Sequence, residues 1–275
     1  MTPAGVAAQY GDVTRVVRLA SITKPLVAYA VLVAVEEGTL ELDRPIPTIG
    51  GATAPLGLTL RHLLAHAAGY GFDTAKPIAP PGLRRMYSNT GFELIGTLLE
   101  EASDISTADY LNAAVFAPLG MANSALRGSP AKDVFSNVHD LVRFASELLA
   151  PTLIAADTFA DFTSVQWPDM AGVVPGLGSF RPCPWGLGIE VRGHKSPHWT
   201  APSNSPSTFG HFGGSGTFLW VDPLAASEPL ALMCLTDREF DTWALSAWPQ
   251  LSEAVLHSAA GSAGSTLLGM PARGR

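Results

Sequence analysis

Ser21-Ile22-Thr23-Lys24, followed by Pro25-Leu26-Val27-Ala28-Tyr29-Ala30-Val31-Leu32-Val33-Ala34-Val35 and then Glu36-Glu37-Gly38, is the stretch on which the reading of this chain turns. The apolar run from Pro25 to Val35 is too short to span a bilayer and closes on a helix-stop pattern, so it predicts a core helix over 23–37. Ser21 and Lys24 stand three residues apart, a spacing that puts both side chains on one helix face. A serine hydroxyl is a poor nucleophile until a neighbouring base takes its proton. A lysine held among apolar residues has its pKa lowered toward that task, and a helix N-terminus favours a developing alkoxide. The pair therefore reads as a nucleophile and its activating base. Spacing alone does not single it out, because Ser129-Pro130-Ala131-Lys132 repeats it. That copy lies in a loop with no apolar helix running on from it, and is expected to be a surface coincidence. Taken alone, Ser21 and Lys24 also fit a helix-capping serine with a solvated lysine.

Outward from this helix the pattern is β-rich at both ends and helical in between. Residues 5–19 predict two short strands about the Gly11-Asp12 turn signal. From Asp43 to about Pro184, Pro- and Gly-rich loops alternate with predicted helices over 58–66, 91–102, 108–116 and 138–149. Beyond Pro184 the chain predicts strands over 185–191, 216–221 and 230–236, then a helix over 242–257. The expected fold class is α+β, an antiparallel sheet flanked by helices with a mostly helical insert. Residues 1–45 and 185–258 would form the α/β lobe and 46–184 the helical lobe. Residues 259–275, rich in Gly, Ser and Ala without periodicity, would form a disordered tail.

Two further elements carry chemistry. Tyr87-Ser88-Asn89 sits in a loop just before a predicted helix. A tyrosine near a lysine ammonium ionises more easily, which would make a phenolate general base, and an Asn amide can grip a substrate carbonyl. His211-Phe212-Gly213-Gly214-Ser215-Gly216 enters a predicted strand. Glycines there allow close approach of a ligand to the backbone, and the amide of Gly214 would pair with that of Ser21 as an oxyanion hole.

In order and spacing these elements resemble the serine hydrolases of the class C β-lactamase, D-alanyl carboxypeptidase and family VIII esterase group. Ser21-Ile22-Thr23-Lys24, Tyr87-Ser88-Asn89 and His211-Phe212-Gly213 match that group's three motifs. The resemblance extends to Leu40-x-Leu42-Asp43, Arg61-His62-Leu63-Leu64-Ala65-His66, Pro118-Leu119-Gly120-Met121 and Trp185-Gly186-Leu187-Gly188, so it spans nearly the whole chain. It implies a β-lactamase/transpeptidase-like fold with the site between the lobes. It also implies an acyl-enzyme on Ser21, proton transfer by Lys24 and Tyr87, and substrate orientation by Asn89. The amides of Ser21 and Gly214 would hold the oxyanion, with His211, Phe212 and Gly213 beside the substrate.

Departures from the group are informative. Only twenty residues precede Ser21, fewer than is usual there, so either the sheet edge is trimmed or translation starts upstream of Met1. After His66 the group commonly has Thr-Ser-Gly, where this chain has Ala67-Ala68-Gly69. Members acting on β-lactams or D-alanyl peptides often carry Lys-Thr-Gly as third motif, a permanent cation and a hydroxyl for the substrate carboxylate. His211 is largely neutral near pH 7 and the phenyl ring of Phe212 cannot hydrogen-bond a carboxylate. The expected activity is esterase-like, on neutral esters or amides. The alternatives are a true β-lactamase or D-alanyl-D-alanine carboxypeptidase, and a non-hydrolytic sensor or binding module.

Bulk properties narrow the rest. The 275 residues are 47% hydrophobic and 15% charged with a formal net charge of −7, so no basic surface invites nucleic acid or anionic lipid. A small-molecule substrate is the expected partner, and no cofactor is implied. Gln9, Asp12, Arg15 and Arg18 interrupt the first twenty residues, which leaves no export segment and predicts a cytoplasmic protein. Cys183 and Cys234, far apart in sequence, predict free thiols. His62 and His66 have helical spacing but no third ligand, so they are expected to be structural and no metal is predicted. His194 and His198 flank a loop and are given no role. Trp185, Trp199, Trp220, Trp243 and Trp248 read as core or pocket wall. A Ser-His-Asp triad on a nucleophile elbow finds no support, since Gly213-Gly214-Ser215-Gly216-Thr217 fails at its last position.

Overall fold

The computed structural model describes residues 1–225 and 228–265. At its centre is helix α1 (Thr23–Glu36), in which every residue from Thr23 to Leu32 is buried. A helix with no polar face needs neighbours on all sides. Phe92 and Ile95 of α3 (Asn89–Ser103), Phe144 of α6 (Val138–Leu149), and Leu219 and Val221 of the sheet supply them in one apolar cluster that joins both parts of the chain. The remaining α-helices among the described residues are α2 (Leu60–Leu64), α4 (Thr107–Leu111), α5 (Ala117–Leu119) and α7 (Ala156–Thr163), with a π-helical segment over Asn112–Phe116 joining α4 to α5. Helix α8 (Thr242–Ser265) covers the sheet. Thr59, Ser88, Ser106 and Asn137 cap α2, α3, α4 and α6 through their side-chain oxygens.

Among the described residues, three sheets and one two-stranded hairpin complete the fold. Strands β9 (Glu190–Val191), β10 (Phe209–Gly213), β11 (Thr217–Asp222) and β12 (Leu230–Cys234) form an antiparallel sheet in the order β12-β11-β10-β9. Strands β1 (Val17–Arg18), β5 (Ala125–Leu126) and β6 (Val134–Ser136) form a second, in the order β1-β6-β5. A short hairpin joins β2 (Thr48–Ile49) to β3 (Ala52–Thr53). Strand β4 (Arg85–Met86) pairs in parallel with β7 (Gly172–Val174), which pairs antiparallel with β8 (Gly178–Phe180). Trp248 of α8 packs with Trp199, Phe212, Phe218 and Trp220 in an aromatic cluster between the helix and the sheet. Among the described residues no helix is long and apolar enough to cross a membrane.

The structure corrects several sequence expectations. Of the two strands expected over 5–19, only β1 forms; Val6 and Tyr10 are exposed and the segment has no apolar face to bury. The main chain of Met1 instead bonds both ways to Ala231 of β12, at 2.8 and 2.7 Å. The strand expected over 185–191 shrinks to β9, because Gly186 and Gly188 press their backbones onto the Phe162 carbonyl and onto Ala28, where any Cβ would collide. Helix α7 and the β7–β8 hairpin were not expected. Helix α8 runs eight residues past its expected end at 257, through Ser258-Ala259-Ala260, since alanine continues a helix at little cost. Residues 266–275 of the expected tail lie outside the described residues.

Candidate active site

Ser21 is presented by a segment held from both sides. The Leu19 amide donates to the Val134 carbonyl at 2.8 Å, and the Leu19 carbonyl accepts from Thr217 Oγ1 at 2.7 Å. Ser215 Oγ donates to the Arg18 carbonyl at 2.7 Å. Gly213 has no room for a side chain: a Cβ there would lie 2.5 Å from Thr217 Oγ1 and closer still to the Leu19 oxygen. With β6 on one flank and the β10–β11 hairpin on the other, the chain turns sharply through Ala20, at φ 48°, into the single turn Ala20–Ile22 that precedes α1. A left-handed alanine is costly and persists only where its surroundings impose it.

Lys24 is wholly buried, and its Nζ meets three oxygens: Asn89 Oδ1 at 2.7 Å, the Ala131 carbonyl at 2.9 Å and Ser21 Oγ at 3.3 Å. Burial, reinforced by Lys132, pushes its pKa well below that of free lysine, against the opposing pull of Asp73 and Glu93. A neutral amine has two N–H bonds and one lone pair. Asn89 Oδ1 and the Ala131 carbonyl can only accept, so in the neutral amine they would take the two hydrogens and leave the lone pair to face Ser21 Oγ. Ala131 belongs to the loop of the second Ser-x-x-Lys copy. That loop is no surface coincidence: it lies between β5 and β6, supplies a carbonyl to Lys24 and adds the charge of Lys132, while Ser129 itself bonds Glu93.

Tyr87 leaves β4 beside this pair. Lys24 Nζ stands 4.7 Å from its ring centroid, and its hydroxyl lies 3.5 Å from His211 Nε2. Burial raises the Tyr87 pKa and Glu190 adds to the effect, with the hydrogen bond between Tyr87 and Ser21 opposing it. The expected easing of ionisation does not occur, because burial outweighs the opposing hydrogen bond. Tyr87 is a phenol, not a phenolate. His211 Nδ1 is 2.7 Å from the Phe212 carbonyl, an acceptor, so Nδ1 carries the proton and the Nε2 lone pair faces Tyr87. Burial and Lys24 lower the His211 pKa to about 4. His66 also reaches the site: its ring lies 4.5 Å from that of Tyr87, its Nδ1 accepts from the Ser88 amide at 3.2 Å, and its buried Nε2 has no hydrogen-bond partner among the described residues.

The expected substrate contacts divide. Asn89 spends both ends of its amide inside the protein, Oδ1 on Lys24 and Nδ2 on Asp73 Oδ1 at 3.1 Å, so the structure uses it to seat Lys24. Gly213 closes the backbones and does not line the cavity. Phe212 touches the cavity, but its ring packs among Phe240, Trp199 and Trp248. His211 and Gly214 do line it. Among the described residues, neither the Ser21 nor the Gly214 amide donates to a backbone acceptor, and both residues border the same cavity of about 220 Å³. Phe72, Tyr87, Val174, Pro175, Gly176, Trp185 and Phe240 complete its wall, which carries no charged side chain. Phe72, Asp73, Val174 and Phe240 were missed from the sequence because loops and the unforeseen β7–β8 hairpin bring them in; none belongs to a pattern that marks it.

Behind the third motif lies a buried polar cluster that the sequence did not reveal. Glu190, paired with Gly210 across the sheet, binds Lys195 at 2.9 Å, His198 at 3.2 Å and Trp199 Nε1 at 2.7 Å. Lys195 and His198 hold the Glu190 carboxyl far below its ordinary range despite its burial. His198, expected in a loop without a role, is part of this cluster. His62, as expected, is structural, bonded to Thr59 Oγ1 at 2.7 Å and stacked on Trp167. Cys183 and Cys234 are free thiols.

Comparison with known proteins places this geometry. The β-lactamase family model matches residues 12–255. A crystallised β-lactamase from Mycobacterium bovis is 49% identical and superposes with a TM-score of 0.88, over 94% of this chain and 92% of that one. Penicillin-binding protein 4* of Bacillus subtilis is 30% identical over 38% of this chain, and esterase EstB of Burkholderia gladioli is 30% identical over 38%. The matched regions amount to 29% and 36% of those two proteins, well under two thirds of their lengths. Simvastatin synthase of Aspergillus terreus shares the fold at 18% identity and a TM-score of 0.69, over 90% of this chain and 82% of that one. The chain belongs to the β-lactamase family, a group with the β-lactamase/transpeptidase-like fold whose members are generally serine hydrolases.

Proposed function

We propose that this protein is an esterase-like hydrolase that forms an acyl-enzyme on Ser21 and acts on esters or amides that are apolar and uncharged around the scissile carbonyl. The observation that carries the reading is the buried Lys24 amine, its two N–H bonds taken by Asn89 and Ala131, facing Ser21 Oγ at the mouth of an uncharged cavity. Lys24 takes the Ser21 proton as Oγ attacks the carbonyl carbon. The amides of Ser21 and Gly214 receive the oxyanion. As the tetrahedral intermediate collapses, the Tyr87 hydroxyl gives its proton to the departing alkoxide and recovers one from the Lys24 ammonium. The products of this half are the alcohol and the Ser21 ester. In the second half water takes the place of the alcohol, loses a proton along the same path, and releases the acid and free Ser21.

His211 keeps its lone pair on Tyr87 and so fixes the phenol without supplying a cation. A β-lactamase or D-alanyl carboxypeptidase reading lacks support at this position, since no side chain in the cavity wall is charged to meet a substrate carboxylate. Hydrolysis of p-nitrophenyl butyrate, labelling by a fluorophosphonate, and loss of both in Ser21→Ala test the reading. Absence of labelling and turnover in the wild type would sink it; labelling without turnover would favour a sensor. Nitrocefin hydrolysis faster than ester hydrolysis would overturn the substrate assignment.

A further inference from the structure

Beside the cavity at Ser21 lies a larger one of about 890 Å³, and the two share Phe72, Tyr87 and Pro175 as a common wall. The charged side chains lining the larger groove are Arg84, Arg85, Arg181 and Asp169. Three guanidinium groups to one carboxylate reverses the balance of a chain with 17 basic and 24 acidic residues. Arg85 is buried and donates to the carbonyls of Ala65, Gln166 and Cys183, so no carboxylate neutralises it. Arg84 and Arg181 are exposed, and among the described residues neither has a hydrogen bond or ion pair. Phe72, Leu83 and Val173 expose apolar surface along the same groove.

We propose that this groove binds an anionic group, carboxylate or phosphate, carried by the substrate at the end remote from its scissile carbonyl. The apolar part of such a substrate would lie along Phe72 and Val173, and its anion would meet the free forks of Arg84 and Arg181. The cation missing beside Ser21 is thus supplied farther out, where it selects without touching the chemistry. This rests on Ser21 acting as the nucleophile of an ester hydrolase.

The test is the ratio of kcat/KM for anionic over neutral esters at low ionic strength. One arm pairs p-nitrophenyl monoesters of straight-chain dicarboxylic acids with alkanoates of equal length. A second pairs butyrate esters of carboxylate- or phosphate-bearing alcohols with neutral counterparts, so the two arms report which side of the ester bond carries the charge and which anion is preferred. The wild type should favour the anionic member in one arm by about ten-fold or more, and Arg84→Ala/Arg181→Ala should erase the preference. No preference in either arm, or an unchanged ratio in the double variant, would overturn the proposal. Calorimetric titration of Ser21→Ala with the same monoesters reads binding without turnover. It keeps a failed groove distinguishable from a failed nucleophile, which the fluorophosphonate reports separately.

Discussion

Gly213→Ala isolates the link between the sheet and the nucleophile. An added Cβ would stand 2.5 Å from Thr217 Oγ1 and nearer to the Leu19 oxygen, with Ala20 Cβ 3.1 Å away. Non-bonded heavy atoms prefer separations of about 3.5 Å, so β10 and the Leu19–Ala20 segment must part by about 1 Å. Thr217 cannot rotate aside without giving up its 2.7 Å bond to Leu19. The displacement therefore passes to Ser21, two residues on, and a misplacement of about 1 Å costs about 100-fold in rate. Overpacking of this kind also costs about 1–3 kcal/mol, which lowers Tm by roughly 2–10 °C in a chain of this size. Gly214→Ala is the control, since nothing lies within 4 Å of its added Cβ, and its Tm should match the wild type. The assays are kcat on p-nitrophenyl butyrate and thermal unfolding. Wild-type kcat in Gly213→Ala, or equal Tm in the two variants, would refute the claim that this contact sets the nucleophile.

With Lys24 acting as a neutral base, kcat/KM should rise with pH through a pKa well below that of free lysine; Lys24→Met should lower it by about 10²–10⁴-fold, and an unchanged rate in that variant would exclude the base role. His211 is held from 6.5 down to about 4 in the folded protein, so the unfolded chain binds that proton more tightly. Its contribution of roughly 3 kcal/mol is full above about pH 6.5 and is lost as pH falls toward 4. Urea unfolding at pH 7.5 and 4.5 should show a shallower loss for His211→Gln, and parallel losses would contradict this. Lys195→Met leaves the buried Glu190 carboxylate without its closest cation and should cost about 3–5 kcal/mol, much of it regained in Glu190→Gln/Lys195→Met. Equal destabilisation in the single and double variants would show that the pair is not what holds this cluster.

The sequence by itself determined the central helix and the pairing of Ser21 with Lys24 at its start, while Tyr87 and His211 were joined to that pair by the resemblance of three ordered motifs. The first two are written in local chemistry: an apolar run with a stop and an i, i+3 spacing. Only the tertiary structure decided the protonation states and the surroundings. Lys24 is held toward its neutral form because α1 is buried on every side, and Tyr87 is a phenol because burial outweighs the hydrogen bond it shares with Ser21. Asn89 seats Lys24 because Asp73, from a distant loop, holds the other end of its amide. The second Ser-x-x-Lys loop joined the site through a backbone carbonyl, an atom every residue carries and no motif can announce. The arginine groove arises where β4 meets the β7–β8 hairpin, a pairing between residues about ninety positions apart that leaves no periodic trace in either segment.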